Sequence, residues 1–146
     1  PNLKYTPFLQ DELVAVVHTH SKLAVSDEIA PEDLPNIPLV LRERGSGTLD
    51  VFERSLLRHN LKLSSLNVLM YLGSTESIKL FWEHTDCMGI VSIRSVYKEL
   101  VAGNFRVVEI KGMPMQREFN FVQLQGQEGG LSQAFMRFAG HHSKSL

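Results

Sequence analysis

Apolar positions along the chain alternate between two rhythms. Short continuous runs rich in β-branched residues read as strands, and stretches with apolar residues every three or four positions read as helices. Residues 13–17 (LVAVV), 37–42 (IPLVLR), 67–72 (NVLMYL), 89–93 (GIVSI), 105–110 (FRVVEI) and 118–124 (EFNFVQL) are the predicted strands. A helix is predicted from about Leu49 to Arg58, with Leu49, Phe52 and Leu56 on one face. A second follows Ser77 with Ile78, Phe81 and Trp82 inward, and a third covers 94–102 with Val96, Leu100 and Val101 inward. Ser74 is the expected N-cap of the second helix, with Glu76 in its first turn, and Gly103 is the expected stop of the third. Residues 30–36 (APEDLPN) read as turn chemistry around one helical turn, and residues 112–116 (GMPMQ) as a loop. Residues 125–130 are expected to turn, 131–139 to form a terminal helix with Phe135 and Phe138 on one face, and 141–146 to fray.

This alternation predicts an α/β fold with a parallel or mixed sheet covered on both faces, and ligands bind such sheets beyond the carboxyl ends of the strands. Two turns occupy that place, Arg44–Thr48 (RGSGT) and residues 73–77 (GSTES). Each precedes a helix whose first amides lack internal partners and carry the positive end of the helix dipole. Ser46, Thr48, Ser74 and Thr75 add hydroxyls, while Gly45, Gly47 and Gly73 allow close approach to the backbone. Arg42 and Arg44 offer countercharge. The set suits a carboxylate, sulfate or phosphate group. The plain alternative is ordinary N-capping at both turns. Neither turn is a P-loop or a dinucleotide fingerprint, so ATP and NAD are poor fits and no cofactor is expected.

Composition narrows the classes. The apolar share is 43% and the charged share 21%, ordinary values for a globular domain. Fifteen Lys+Arg against sixteen Asp+Glu give a formal charge of −1, which leaves no basic excess to neutralise a phosphate backbone. No run reaches the roughly 18 apolar residues of a membrane helix, so no membrane partner is expected. No signal peptide is legible, and a chain opening at Pro1 is expected to be part of something longer. The single Cys87 points weakly to a reducing compartment.

Other chemistry is thinner. His18 and His20 could share a strand face, but no third ligand stands at a metal-site spacing. Cys87 and His84 could be helical neighbours, yet nothing orients a base or builds an oxyanion hole. Met113 and Met115 read as loop packing, and Trp82 as core or a subunit contact.

The segments LVLRERGSGTLDVFERSLL, NVLMYLGSTESIKLF and GIVSIRSVYKELVAGNFRVVEI, in this order and spacing, resemble the effector-binding domain of LysR-type transcriptional regulators. SKLA after the first strand echoes that family's His-Pro-Leu-Ala, and REFNFVQL with LSQAFMRF resembles its ending. Two departures stand out: Cys87-Met88-Gly89 replaces the usual Gly-x-Gly, and Ser21-Lys22-Leu23-Ala24 replaces His-Pro-Leu-Ala.

The resemblance implies an α/β, type-II periplasmic-binding-protein-like fold: one nearly complete lobe plus the C-terminal return segment of the other. Residues 1–112 would form the second lobe, and residues 113–146 a crossover strand and a C-terminal helix returning to the first. It implies a cytoplasmic sensor of a small anionic effector, not an enzyme, working as a homo-oligomer: a dimer, or a tetramer in the full-length protein. DNA binding would belong to an N-terminal domain absent from this chain. The ligand-binding residues implied are Arg44, Gly45, Ser46, Gly47, Thr48, Gly73 and Ser74, with Ser46 foremost. With part of the first lobe missing, the fragment is expected to self-associate. The rivals are a transporter's solute-binding protein on the same fold and a small-acid enzyme, for which no acid/base pair can be placed.

Overall fold

The computed structural model describes the backbone of residues 3–124 and the side chains of residues 11–116. The turn, helix and tail expected beyond residue 124 lie outside the described residues. Among the described residues seven strands and three helices follow in order: β1 (Leu3–His18), β2 (Glu28–Ile29), β3 (Pro38–Arg42), α1 (Gly47–Arg58), β4 (Asn67–Leu72), α2 (Thr75–Trp82), β5 (Met88–Ser92), α3 (Ile93–Val101), β6 (Phe105–Ile110) and β7 (Gln116–Leu124). Short 3-10 turns occupy Lys22–Val25, Pro31–Asn36 and Leu63–Ser65. The chain divides into two compact units, Pro1–Asp11 with Gln116–Leu146, and Glu12–Met115. In the smaller unit β7 pairs with β1.

The larger unit is built on a sheet of order β2-β6-β1-β5-β3-β4. It is mixed: β1 runs antiparallel to β5 and β6, whereas β3 is parallel to β4 and β5, and β2 to β6. The near-continuous apolar run of β1 follows from its central place. Leu13, Ala15 and Val17 join one core, and Val14 and Val16 join the other. A strand covered on both faces needs apolar side chains at every position.

On the first face lie Leu49, Phe52 and Leu56 of α1, none more than 2% exposed, with Leu39, Leu41 and Ile90. Burial of a side chain such as Phe52 contributes about 1.5–3 kcal/mol. On the second face α2 places Ile78 and Trp82, and α3 places Val96. Met113 and Met115 are buried in the first core, the packing role expected of them. Trp82 meets Phe105 edge-to-face at 4.9 Å between ring centroids. It also explains Gly89: a Cβ there would stand 2.5 Å from the Trp82 ring, so glycine lets α2 close on β5.

Several local expectations need correction: β1 begins at Leu3, ten residues before its expected start, and β7 takes in Gln116, which was read as loop. Val101 points outward, 71% exposed. Val96 and Leu100 are four residues apart and share the inner stripe, and Val101 lies one step beyond it, following exposed Tyr97 by four. Helix α1 begins at Gly47, two residues before its expected start, because Ser46 is the cap. The Gly103 stop is as expected: its φ is +81°, directly after the C-cap Ala102.

Strand β4 closes one end of the sheet and is largely exposed, with Leu69, Met70 and Tyr71 each more than 40% accessible. Its register with β3 slips between Leu39 and Val40, which face Val68 and Met70, so Leu69 is the extra residue of a bulge.

Candidate functional site

Because β3, β4 and β5 are parallel, their carboxyl ends share one end of the sheet, and each leads directly into a helix. Neighbouring strands lie about 4.8 Å apart, so the three helices leave from adjacent strand ends, α1 on one face of the sheet and α2 and α3 on the other. All three are capped by serine. Ser46 Oγ accepts the Leu49 N–H at 3.2 Å, Ser74 Oγ the Ser77 N–H at 3.1 Å, and Ser92 Oγ the Arg94 N–H at 3.3 Å. Each cap satisfies one orphan amide and leaves its own hydroxyl proton to donate elsewhere. At Ser74 that hydroxyl lies 2.9 Å from Ser77 Oγ. The amides of Gly47 and Thr48, and of Thr75 and Glu76, stand ahead of the first intrahelical bond, the kind of donor that an anion can use.

The two turns singled out in the sequence are joined by residues between them. Arg42 Nη2 donates to the Gly73 carbonyl at 3.2 Å, and the Glu43 N–H to the Leu72 carbonyl at 3.0 Å. The Ser46 N–H returns to the Glu43 carbonyl at 3.2 Å. A Cβ on Gly73 would stand 3.5 Å from the Glu43 carboxylate, so this bare glycine sits directly under an acid. Gly45 turns the chain with φ +89°, a conformation that favours glycine.

The expected ligand residues occupy distinct settings. Gly45, Gly47 and Gly73 are exposed, Ser46 and Ser74 are half-buried caps, and Thr48 is buried in the first turn of α1. Arg44 is turned to Glu53, 3.8 Å away, and lines a 380 Å³ hollow with Leu57, Lys62 and Tyr71. A 540 Å³ hollow beside β1, β6 and residues 112–115, and a 440 Å³ hollow around His18, Lys79 and Phe105, are lined by none of the expected ligand residues.

The third opening, Ser92 with Arg94, was missed by sequence reasoning. Its signal was the same serine before a helix, hidden because the strand was read through to Ile93. No acidic residue stands in the first turn of α3, so its dipole is not neutralised locally.

The other candidates separate. His18 Nδ1 accepts the His20 N–H at 3.2 Å, and the rings lie 5.5 Å apart. Among the described residues no three His, Cys, Asp or Glu side chains come together as a metal site. Cys87 and His84 are not helical neighbours, since α2 ends at Trp82. Burial, and then the charge of Asp86, push the Cys87 thiol up to about 11, so it is no nucleophile at neutral pH.

Comparison with known proteins matches residues 1–144 to the LysR substrate binding domain. The HTH-type transcriptional activator CmpR of Synechocystis sp. is 29% identical over 95% of this chain and 45% of its own length. The uncharacterized HTH-type transcriptional regulator YeiE of Escherichia coli is 33% identical over 90% and 43%. The chain thus spans less than half the length of these curated relatives. The regulatory domain of CcmR from Synechocystis, solved in complex with 2-PG, superposes with a TM-score of 0.76 at 25% identity, covering 99% of this chain and 69% of that one.

Proposed function

The chain belongs to the LysR substrate-binding domain family, and from that premise we propose that it is the effector-sensing part of a transcriptional regulator, with a small organic anion as effector. One observation carries the reading: two serine-capped helix openings, α1 and α2, stand side by side at the carboxyl ends of neighbouring parallel strands and are tied together by Arg42 and Glu43. Such a pair presents amides, hydroxyls and two dipole ends to one negative charge. The 2-PG held by the CcmR regulatory domain is an organic anion of this kind.

The residues proposed to contact the effector are Gly45, Ser46, Gly47, Thr48, Gly73 and Ser74, together with Arg44, which has to turn from Glu53 to do so. The larger unit, Glu12–Met115, is proposed as the body of the second lobe. The regulator works in the cytoplasm as a homo-oligomer, and another part of the full-length protein binds DNA. The exposed apolar edge of β4, with Leu57 beside it, supports the homo-oligomer. The matched family and relatives are regulators, which favours this reading over a transporter's binding protein. The domain performs no chemistry, and the effector acts by its differential affinity for two arrangements of the regulator.

Calorimetric titration of the intact protein with 2-phosphoglycolate and a panel of small carboxylates tests the reading. Ser46→Ala is expected to weaken binding by about 1.5–3 kcal/mol, the value of a hydrogen bond to a charged group. Binding of one of these anions with equal affinity in wild type and variant refutes the role given to Ser46.

A further inference from the structure

We infer that Arg42 is the positioning residue of this site, fixing the opening of α2 against the opening of α1 so that both address one anion. The inference rests on the sensor reading for its ligand class. Arg42 is the last residue of β3 and faces Leu72, the last residue of β4, where the ladder ends. Just beyond that point the Glu43 N–H still bonds the Leu72 carbonyl, and the Arg42 side chain reaches one residue further, to Gly73. Its Nη2 grips the Gly73 carbonyl.

A trans peptide points its C=O and N–H in opposite directions. Holding the Gly73 carbonyl towards Arg42 therefore sets the direction of the Ser74 N–H and the entry angle of α2. The Glu43 N–H, bonded to Leu72, makes the clasp two-pointed.

A structural role alone is a poor account of the guanidinium. Arg42 is only part-exposed, and its Nε is buried without an acceptor. A buried donor left unsatisfied is destabilising, and a methionine would fill similar space without that cost. What arginine adds is a planar donor fork and a fixed positive charge beside two helix amino ends, both suited to an anion site.

The test compares wild type, Arg42→Met and Arg42→Lys in the intact protein, with 2-phosphoglycolate and inorganic phosphate as probes. Two quantities are read: anion affinity by calorimetry, and amide exchange at residues 74–78 without ligand. Arg42→Met is expected to bind about tenfold more weakly and to exchange about tenfold faster at 74–78, with residues 88–92 unchanged, as expected for one lost charge-assisted contact. Arg42→Lys, which keeps the charge and one donor, is expected to recover part of both; it also decides the matter should Arg42→Met not fold.

Weaker affinity with unaltered exchange in both variants overturns positioning and makes Arg42 a source of charge alone. Unaltered affinity overturns the inference while leaving the sensor reading intact. Faster exchange in the variants of a protein that binds neither probe supports the clasp and counts instead against the assigned ligand.

Discussion

Strands β3 and β4 are neighbours, run the same way and lead into serine-capped helices, yet their environments are opposite. In β3, Leu39, Val40 and Leu41 are buried to 1% exposure or less. In β4, the residues opposite them leave Met70 and Tyr71 more than 40% exposed. Both sequences are apolar, IPLVLR and NVLMYL. The difference is one of place, since β3 lies between two strands and two cores while β4, among the described residues, has a neighbour on one side only. An apolar edge strand is a liability unless something covers it, which is why β4 is the surface that a second subunit is proposed to use.

That contrast can be broken by matched substitutions. Leu41→Ala should destabilise the fold by about 2–5 kcal/mol, the range for a buried leucine, measured by denaturant unfolding. If it costs no more than Tyr71→Ala, its register partner, the contrast is wrong. Gly89→Ala, on the other neighbour of β3, should cost about 1–3 kcal/mol, because the new methyl meets Trp82 and has to displace it. Ser46→Ala and Ser74→Ala should each cost about 1 kcal/mol of stability as lost caps. If the two turns form one site, both should also weaken anion binding.

A smaller effect reports on how α2 and α3 dock. Lys79 bonds Glu99 at 2.8 Å and Glu76 at 3.1 Å. Burial works against the Lys79 charge, but its bonds to Glu99 and Glu76 outweigh it and raise its pKa above the usual 10.5. The bond to Lys79 holds the Glu99 carboxyl below its ordinary 4.5. The Glu99 contribution to stability is therefore present above pH 4.5 and lost as pH falls through its folded value. The Lys79 contribution is full below pH 10.5 and lost as pH rises through its own. In melting curves against pH, Lys79→Met should flatten both limbs. Smallest of all is Met70→Lys, expected to change protomer stability by less than about 0.5 kcal/mol. Its visible effect should be on assembly: sedimentation is expected to show a shift towards the monomer.

The comparison also shows where sequence is informative. Periodicity located β3, β4, β6 and all three helices, because covered strands and one-faced helices leave local patterns. It could not tell a central strand from an edge strand, since that depends on which strands become neighbours. It placed Val101 inside because helical spacing marks a stripe without marking its rim. The Ser46 and Ser74 turns were legible as residue types, and their adjacency was not: it comes from the parallel pairing of β3 with β4 and from Arg42 reaching across to Gly73. Gly89 was read only as the opening of a strand, and the Trp82 ring beside it gives the reason that a glycine stands there.

The slipped residue at Leu69 limits what the open side of the sheet can do. Open-ended stacking needs a flat rim that repeats the same spacing from one molecule to the next. A rim one residue out of step, and twisted by that step, interrupts the repeat and favours a partner with a complementary contour. The same irregularity that leaves Leu69 unmatched within the protomer thus guards a sticky margin against growth into fibres.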